Sequence, residues 1–434
     1  MKYLLCIFSI AFLWSCDQKN DNFFMPAEWE PHEAVWLGWE ADTTARFYPS
    51  IGEIITTLKP HITVKIAFDS DSLKQTAIEW LIDSDVDTTG IIMHVMPGER
   101  YWIRDHGATF LINERGELGA ADFGWDLYGM PAFLDLQYEG NRDSVNVAWN
   151  DMKESIHQTG RVDSLMAAAT GATVLKTEVI HEGGAVEVNG KGTLILNEES
   201  VFLRNPDLSK EFIEAEFKRV LGVTNIIWTK QGLANDPHWF IRRITGDYIG
   251  GGTGGHVDQF VRFANSSTIL LAWVDENEKY LNPVNQMNYE RMNENYQILR
   301  NARDQDGNLF EIVKVPLPDL ITEQVIVRQE LNEGQFTLDV KHDWFVPSEA
   351  AQVGDTLQLV AAASYLNYFV TNGLVLLPTY TASGSSKEKE DAVRAIFEQQ
   401  FPEREIVFID TIMQNWLGGG IHCSVQQQPK ITKR

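Results

Sequence analysis

The chain has 434 residues, of which 44% are hydrophobic and 22% are charged, so it is long enough to bury a large core. Its 36 basic and 61 acidic residues give a formal net charge of −25, which argues against nucleic acid as a partner because such a surface repels phosphates. The same charge favours the approach of a cationic substrate, although solubility alone explains it equally well.

The start of the chain has the pattern of a bacterial lipoprotein signal. An apolar run, Tyr3–Trp14, has the size of a signal-peptide hydrophobic region and is too short to span a bilayer comfortably. A small residue, Ser15, then precedes Cys16. We therefore expect residues 1–15 to be removed, Cys16 to be lipidated, and residues 16–22 to form a polar tether. The protein would then be exported and anchored to a membrane of the bacterial envelope. The alternative is an ordinary N-terminal anchor helix.

Strands and helices alternate along the rest of the chain. Short stretches rich in β-branched and apolar residues predict strands over 61–68, 91–97, 192–197, 225–229, 267–274, 374–380 and 404–410. Apolar residues at helical spacing predict helices over 72–84, 209–222, 288–303 and 387–401, with Ser72 and Ser209 as N-caps. This alternation predicts an α/β architecture. We expect one domain over 23–434, with an insertion near 320–359.

Four polar clusters lie beside glycines. The first is "RYWIRDHGATF", and the second is "HEGGAVEV" with Glu182. The third, "GGGTGGHVDQFVRF", predicts a strand on which His256 and Asp258 share one face. The fourth, "GGGIHCSVQQQP", places Cys423 after three glycines. Each cluster alone is also compatible with a surface turn or a structural ion pair. A His-x-Asp pair can bind a metal, but no third ligand follows at a zinc-like spacing.

Together these clusters offer a thiol, an imidazole and several carboxylates. A thiolate is a strong nucleophile, and a nearby histidine can exchange its proton. Two carboxylates beside a thiol would repel an oxyanion, whereas they suit a planar guanidinium, which carboxylates bind in a bidentate manner. A lipoprotein that binds guanidines without turnover and a thiol amidohydrolase with another substrate remain alternatives.

These motifs resemble, in order, those of the agmatine deiminase and bacterial peptidyl-arginine deiminase family, part of the pentein superfamily. The resemblance rests on "MPAEWEPHEAVWLGW" (25–39), "YWIRDHG", "EGG", "GHVD", "SYLNYFVTNGLVLLP" (364–378) and "GGGIHCSVQQQP" (418–429). It implies a five-bladed α/β propeller of ββαβ units with pseudo-fivefold symmetry. The departures in this sequence, such as His106 and Ala108 after "RD", bear on the substrate more than on the chemistry.

The resemblance also implies residue roles. Cys423 matches the nucleophile and His256 the general acid and base. Glu182 matches the carboxylate that orients the histidine, and Asp105 and Asp258 match the pair that holds the guanidinium.

The resemblance implies two further site residues, namely Trp102 as an aromatic lining the site and Asn372 as a polar site residue. The resemblance implies hydrolysis of agmatine to N-carbamoylputrescine and ammonia, with arginine in peptides as the alternative substrate. It implies no organic cofactor and no metal. The sequence leaves a homo-oligomer open.

Overall fold

The structure is a computed structural model that describes residues 22–431 except 40, 42–44, 239–240 and 333–335. The predicted signal and Cys16 therefore lie outside the described residues. The strands, in chain order, are β1 (His32–Gly38), β2 (Thr63–Phe68), β3 (Ile92–Val95), β4 (Thr109–Ile112), β5 (Leu118–Gly124), β6 (Thr173–Ile180), β7 (Glu187–Val188), β8 (Thr193–Asn197), β9 (Asn225–Thr229), β10 (Arg242–Thr245), β11 (Tyr248–Gly250), β12 (Val261–Asn265), β13 (Thr268–Trp273), β14 (Glu311–Pro316), β15 (Thr322–Arg328), β16 (Val340–Lys341), β17 (Thr356–Val360), β18 (Phe369–Thr371), β19 (Leu374–Thr379), β20 (Glu405–Asp410) and β21 (Val425–Pro429).

The helices connect these strands. In chain order they are α1 (Tyr48–Leu58), α2 (Asp71–Asp83), α3 (Ile103–His106), α4 (Met130–Gln137), α5 (Arg142–Thr159), α6 (Val162–Thr170), α7 (Glu198–Arg204), α8 (Lys210–Leu221), α9 (Pro283–Leu299), α10 (Lys387–Gln400), α11 (Ile412–Asn415) and α12 (Ile421–Ser424). Within the described part of the chain, no helix combines the length and apolarity that crossing a bilayer requires.

Five units of the chain share one topology. In each unit an antiparallel pair of strands is followed by one or more helices and then by a strand that pairs in parallel with the second of the pair. The units are β21-β1-β2, β4-β5-β6, β7-β8-β9, β12-β13-β14 and β18-β19-β20. This is the ββαβ repeat that the resemblance implies. The fold class is the predicted α/β class.

The two ends of the described chain close the first unit. Strand β21 runs antiparallel to β1, with Val425 opposite Leu37 and Gln428 opposite Ala34. Strand β3 extends this sheet beyond β2. Because the last strand pairs with the first, the residues just before β21 are brought back to the start of the chain.

A sixth sheet stands outside the five units. Its strands are β10-β11-β17-β15-β16, so two segments far apart in sequence, 242–250 and 322–360, form one sheet. The sequence predicts an insertion only near 320–359. The structure adds that the long approach to His256 joins it, because β11 pairs in parallel with β17.

Helix α8 shows how local sequence sets an element. Ser209 is its N-cap, and the Ser209 side chain accepts a hydrogen bond from the Phe212 amide at 3.2 Å. The helix buries Phe217 and three aliphatic residues on one face. It ends at Gly222, whose φ of +66° is left-handed and favours glycine.

The predicted strands and helices are all present within a few residues, but two local predictions are wrong. The N-cap of α2 is Ser70, whose side chain accepts from the Leu73 amide, and not Ser72. The predicted strand "HVDQFVRF" begins instead with a 3-10 turn, Val257–Gln259, and becomes a strand only at Val261. The glycine-rich approach ends in a turn because the carboxylate of Asp236 collects the backbone N–H groups that precede it.

Candidate active site

Side chains that precede the first strand of each unit meet at one buried centre. They are Asp105 before β4, Glu182 before β7, His256 and Asp258 before β12, Asn367 before β18, and Cys423 before β21. Each unit therefore supplies at least one polar group from the same position of its repeat, and all of these side chains are at most 4% exposed.

Cys423 lies on the short helix α12 and is 1% exposed. The side-chain amide of Asn367 donates to its Sγ at 3.2 Å, and the thiol faces Asp258 Oδ2 at 3.6 Å. Burial raises the pKa of the thiol well above its ordinary value, and the carboxylates of Asp258 and Asp105 raise it further. The thiol therefore stays protonated until a positive charge comes between it and these carboxylates.

His256 lies between two carboxylates. Its Nε2 is 3.2 Å from Glu182 Oε2, and its Nδ1 is 3.6 Å from Asp105 Oδ1. Burial alone would lower the pKa of the imidazole, but the charges of Asp105 and Glu182 outweigh burial and raise the pKa from 6.5 to about 9. The ring is therefore an imidazolium at neutral pH and can donate a proton.

Glu182 is held by a buried arginine. Arg204 Nε lies 2.9 Å from both carboxylate oxygens of Glu182, and its Nη2 donates to the Thr253 carbonyl at 2.6 Å. Burial would raise the pKa of Glu182, but Arg204 and His256 hold it well below its ordinary range. Glu182 therefore stays ionised and fixes the orientation of the His256 ring.

Asp105 and Asp258 converge on Gly184, whose lack of a side chain lets both carboxylates approach its backbone closely. The Gly184 amide donates to Asp105 Oδ1 at 3.0 Å. A Cβ atom at Gly184 would lie 2.7 Å from Asp105 Oδ1, 2.7 Å from His256 Nδ1 and 3.0 Å from Asp258 Oδ2. Within the described residues, neither His256 Nδ1 nor Asp258 Oδ1 has a hydrogen-bond partner. Unpartnered buried polar atoms are costly, so these two atoms indicate a ligand position.

Tyr128 links this centre to an outer cavity of about 230 Å³. Its hydroxyl donates to Asp105 Oδ2 at 2.9 Å, while its side chain also lines the cavity together with Trp102 and Arg100. Tyr128 and its neighbour Leu127 have φ values of +58° and +59°, which non-glycine residues rarely adopt. A strained tyrosine therefore stands where a substrate entering from the cavity would reach Asp105.

The structure brings together five of the seven predicted site residues, namely Asp105, Glu182, His256, Asp258 and Cys423. Trp102 lies beside this cluster. A Cβ atom at Gly419, in the glycine run before the thiol, would lie 2.3 Å from its ring. Although His256 and Asp258 lie on a turn and not on one strand face, both reach the centre.

Asn372 does not reach the centre. Its side chain forms two hydrogen bonds with the backbone of His32, both at 2.9 Å, and so connects the β18-β19 turn to β1. Asn367, five residues earlier in the same motif, contacts the thiol instead. In sequence, a position a few residues before a strand is the available signal, since Asp105, Glu182 and Asp258 share it.

Sequence reasoning also missed several residues around the centre. They are Glu28, Tyr128, Gly184, Arg204 and His422. His422 adjoins the thiol in sequence, and Glu28 lies in the quoted N-terminal motif. Arg204 and Tyr128 carry no local signal, because only long-range packing brings them to their partners.

A buried thiol, an imidazolium and two carboxylates that meet at one centre are typical of a thiol-dependent hydrolase for a cationic substrate. Residues 24–429 match the family described as Porphyromonas-type peptidyl-arginine deiminase. The chain belongs to this family, whose members are cysteine-dependent hydrolases of guanidino groups.

The sequence similarity to relatives covers nearly the whole chain. The agmatine deiminase of Pseudomonas putida is 28% identical over 96% of this chain and 98% of its own length. The agmatine deiminase of Pseudomonas syringae pv. tomato is 29% identical over 95% of this chain and 96% of its own.

Solved structures show the same fold. The agmatine deiminase of Enterococcus faecalis superposes with a TM-score of 0.70 at 22% identity, covering 95% of this chain and 97% of its own. The C. jejuni agmatine deiminase with substrate bound superposes with a TM-score of 0.64 at 18% identity, covering 94% and 96%.

Proposed function

We propose that this protein deiminates a guanidinium substrate through a covalent intermediate on Cys423. The observation that carries the proposal is the convergence of Asp105, Asp258, His256 and Cys423 at one buried centre beside Gly184. Among the described residues, two atoms of this centre, His256 Nδ1 and Asp258 Oδ1, have no hydrogen-bond partner. Two carboxylates there match the paired N–H groups of a guanidinium, and the thiol lies beside one of them. Family membership over 24–429 supports the same chemistry.

In the first half of the reaction, the guanidinium takes the position between Asp105 and Asp258. Its positive charge offsets the carboxylates that, together with burial, raise the pKa of the Cys423 thiol, so on binding the thiol loses its proton to solvent and becomes the thiolate. Sulfur then attacks the central carbon and forms a C–S bond. The imidazolium of His256 protonates one nitrogen, the C–N bond to that nitrogen breaks, and ammonia leaves.

In the second half, the neutral His256 acts as a base. It takes a proton from a water molecule, whose oxygen attacks the carbon of the thiouronium intermediate. The C–S bond breaks, the product leaves as a ureido compound, and the thiol and imidazolium are restored. Glu182, held by Arg204, keeps the ring in place for both proton transfers.

We propose agmatine as the substrate, giving N-carbamoylputrescine and ammonia. Relatives that span nearly the whole chain are agmatine deiminases. The test is ammonia release from agmatine, free arginine and a blocked arginine peptide, with the ureido product identified by mass. We expect agmatine to have the highest kcat/KM. We also expect Cys423→Ala to release no ammonia while still binding agmatine. Turnover by Cys423→Ala near the wild-type rate would refute the mechanism.

Arginine within a peptide is the second candidate, and the outer cavity favours it. Among the described residues that line this cavity none is acidic, and its rim carries Arg100, whose Nη2 donates to the Ser155 hydroxyl at 3.4 Å. Agmatine carries an ammonium group at the end of its chain opposite the guanidinium, and Arg100 would repel that ammonium. Arg100→Gln should therefore lower the KM for agmatine. If an arginine peptide is the substrate, the same change should also lower turnover of the peptide.

We also propose that the protein is a membrane-anchored lipoprotein of the bacterial envelope, with residues 1–15 removed and Cys16 acylated. The apolar run followed by Ser15-Cys16 supports this proposal. A membrane position would expose the site to guanidines outside the cytoplasm.

A further inference from the structure

His422 directly precedes the nucleophile, yet the mechanism above gives its side chain no part. The ring is buried, at 1% exposure, and each of its nitrogens faces a carboxylate. Nδ1 is 2.8 Å from Asp258 Oδ2, and Nε2 is 2.7 Å from Glu28 Oε2. The ring donates to both carboxylates when both nitrogens carry hydrogen.

The oxygen that His422 contacts is the one at the reacting centre. Asp258 Oδ2 is 3.6 Å from Cys423 Sγ, and it is the Asp258 oxygen nearest to a Cβ atom built on Gly184. A hydrogen bond at this oxygen therefore fixes the carboxylate relative to both the thiol and the substrate position. Burial would raise the pKa of Asp258, but His422 lowers it below the ordinary value and keeps the carboxylate ionised.

Glu28 is itself immobilised. Its Oε1 accepts from the Val370 amide at 2.8 Å, and its Oε2 lies 2.9 Å from Arg262 Nη2. Arg262 Nε in turn donates to Glu187 at 2.8 Å. The His422 ring is thus held by a carboxylate that has three further neighbours, the third being Arg104, whose Nη2 lies 3.8 Å from Glu28 Oε2.

The backbone of His422 is connected to the same centre. Its amide donates to Asn367 Oδ1 at 3.0 Å, while the Asn367 side-chain NH2 donates to the Cys423 thiol. Its carbonyl accepts from Arg104 Nε at 3.2 Å. A change confined to the His422 ring therefore leaves these backbone contacts in place, which makes the ring separately testable.

We propose that His422 and Glu28 form a positioning pair that holds Asp258 in the geometry needed to bind the guanidinium. Because both nitrogens of His422 are occupied by carboxylates, the ring does not exchange protons with the substrate, and His256 alone acts as acid and base. The proposal rests on the proposed function only for the identity of the ligand, since the geometry of the pair is present without substrate.

The test uses agmatine binding in a Cys423→Ala background, where no turnover occurs, together with kinetics in the parent protein. We expect His422→Gln to raise the Kd for agmatine at least tenfold by calorimetry. In the parent, it should raise KM at least tenfold and leave kcat within about threefold. The control is His94→Gln, a half-buried histidine on the edge strand β3 whose ring packs against Trp36, and it should change neither constant by more than about twofold.

An unchanged Kd in folded His422→Gln would overturn the proposal. A hundredfold loss of kcat with unchanged KM would also overturn it, because that pattern assigns His422 to proton transfer. If His422→Gln does not fold, Glu28→Gln takes its place and should raise the Kd at least threefold. Failure of both variants to fold, with His94→Gln folded, would assign the pair a purely structural role and refute the proposal.

The outcome separates this proposal from the proposed function. If the wild-type protein binds agmatine but releases no ammonia, the proposed deimination is refuted. The Kd values measured in the Cys423→Ala background still decide the role of His422. If the Cys423→Ala protein binds neither agmatine nor an arginine peptide, both proposals fall.

Discussion

The surroundings of Gly184 leave no room for even one methyl group. A Cβ there would lie 2.7 Å from Asp105 Oδ1, 2.7 Å from His256 Nδ1 and 3.0 Å from Asp258 Oδ2, whereas ordinary contacts begin at 3.4 Å. Gly184 lies in a 3-10 turn, Gly183–Ala185, and its φ is not among the positive values, so alanine suits its backbone. The effect of Gly184→Ala is therefore steric and local.

The expected cost to the fold is modest and the cost to catalysis is large. Overpacking of this kind costs about 1–3 kcal/mol, so the free energy of unfolding should fall by that amount. The methyl group displaces the two carboxylates and the His256 ring from the geometry that would hold the substrate, and a displacement near 1 Å at a reacting centre costs about 100-fold. We expect kcat/KM for agmatine to fall at least 100-fold, measured by ammonia release, with an unchanged circular dichroism spectrum.

The control is Gly307→Ala. A Cβ at Gly307 meets no atom within 4 Å, but its φ of +87° makes alanine strained there, so this variant carries a stability cost of about 1 kcal/mol away from the site. Its kcat/KM should stay within about twofold of wild type. If folded Gly184→Ala protein keeps kcat/KM within threefold of the wild-type value, the assignment of the carboxylates beside Gly184 to substrate binding is refuted.

Three further predictions follow from charge and from the N-terminal pattern. The pKa of His256 rises from 6.5 to about 9 on folding, so protonation of this ring adds about 3 kcal/mol to the free energy of unfolding. That contribution is fully present below pH 6.5 and is lost as the pH rises to 9. Chemical denaturation at pH 6 and pH 9 should show that loss in wild type and not in His256→Gln, and equal pH dependence would contradict it. Burial and the nearby carboxylates raise the pKa of Cys423, so Asp258→Asn should speed alkylation of Cys423 by iodoacetamide at pH 7. Peptide mass locates the modified residue, and an equal or slower rate would contradict the effect of Asp258 on the thiol. Expression of the full chain with Cys16→Ser in a bacterial host should move the protein from the membrane to the soluble fraction, and retention at the membrane would favour an uncleaved anchor.

Much of the chemistry could be predicted from residue types and their order. Cys423, His256, Glu182, Asp105 and Asp258 stand in short glycine-flanked motifs, because backbone turns that lead into a strand need glycine and leave the adjacent side chain free to point at the centre. The strands and helices follow from local periodicity, as Ser209 capping α8 illustrates. Errors occurred where a side chain elsewhere set the backbone, as Asp236 does at the turn before β12.

By itself, the sequence determined which reactive groups the protein has and the repeat of strands and helices that carries them, because both depend on local pattern. Only the tertiary structure decided which partners hold those groups and what charge they bear. His422 and Glu28 are 394 residues apart, and they meet because β21 returns to β1. The raised pKa values of Cys423 and His256 likewise exist only in the folded protein, since burial and the nearby carboxylates that shift them are absent from the extended chain.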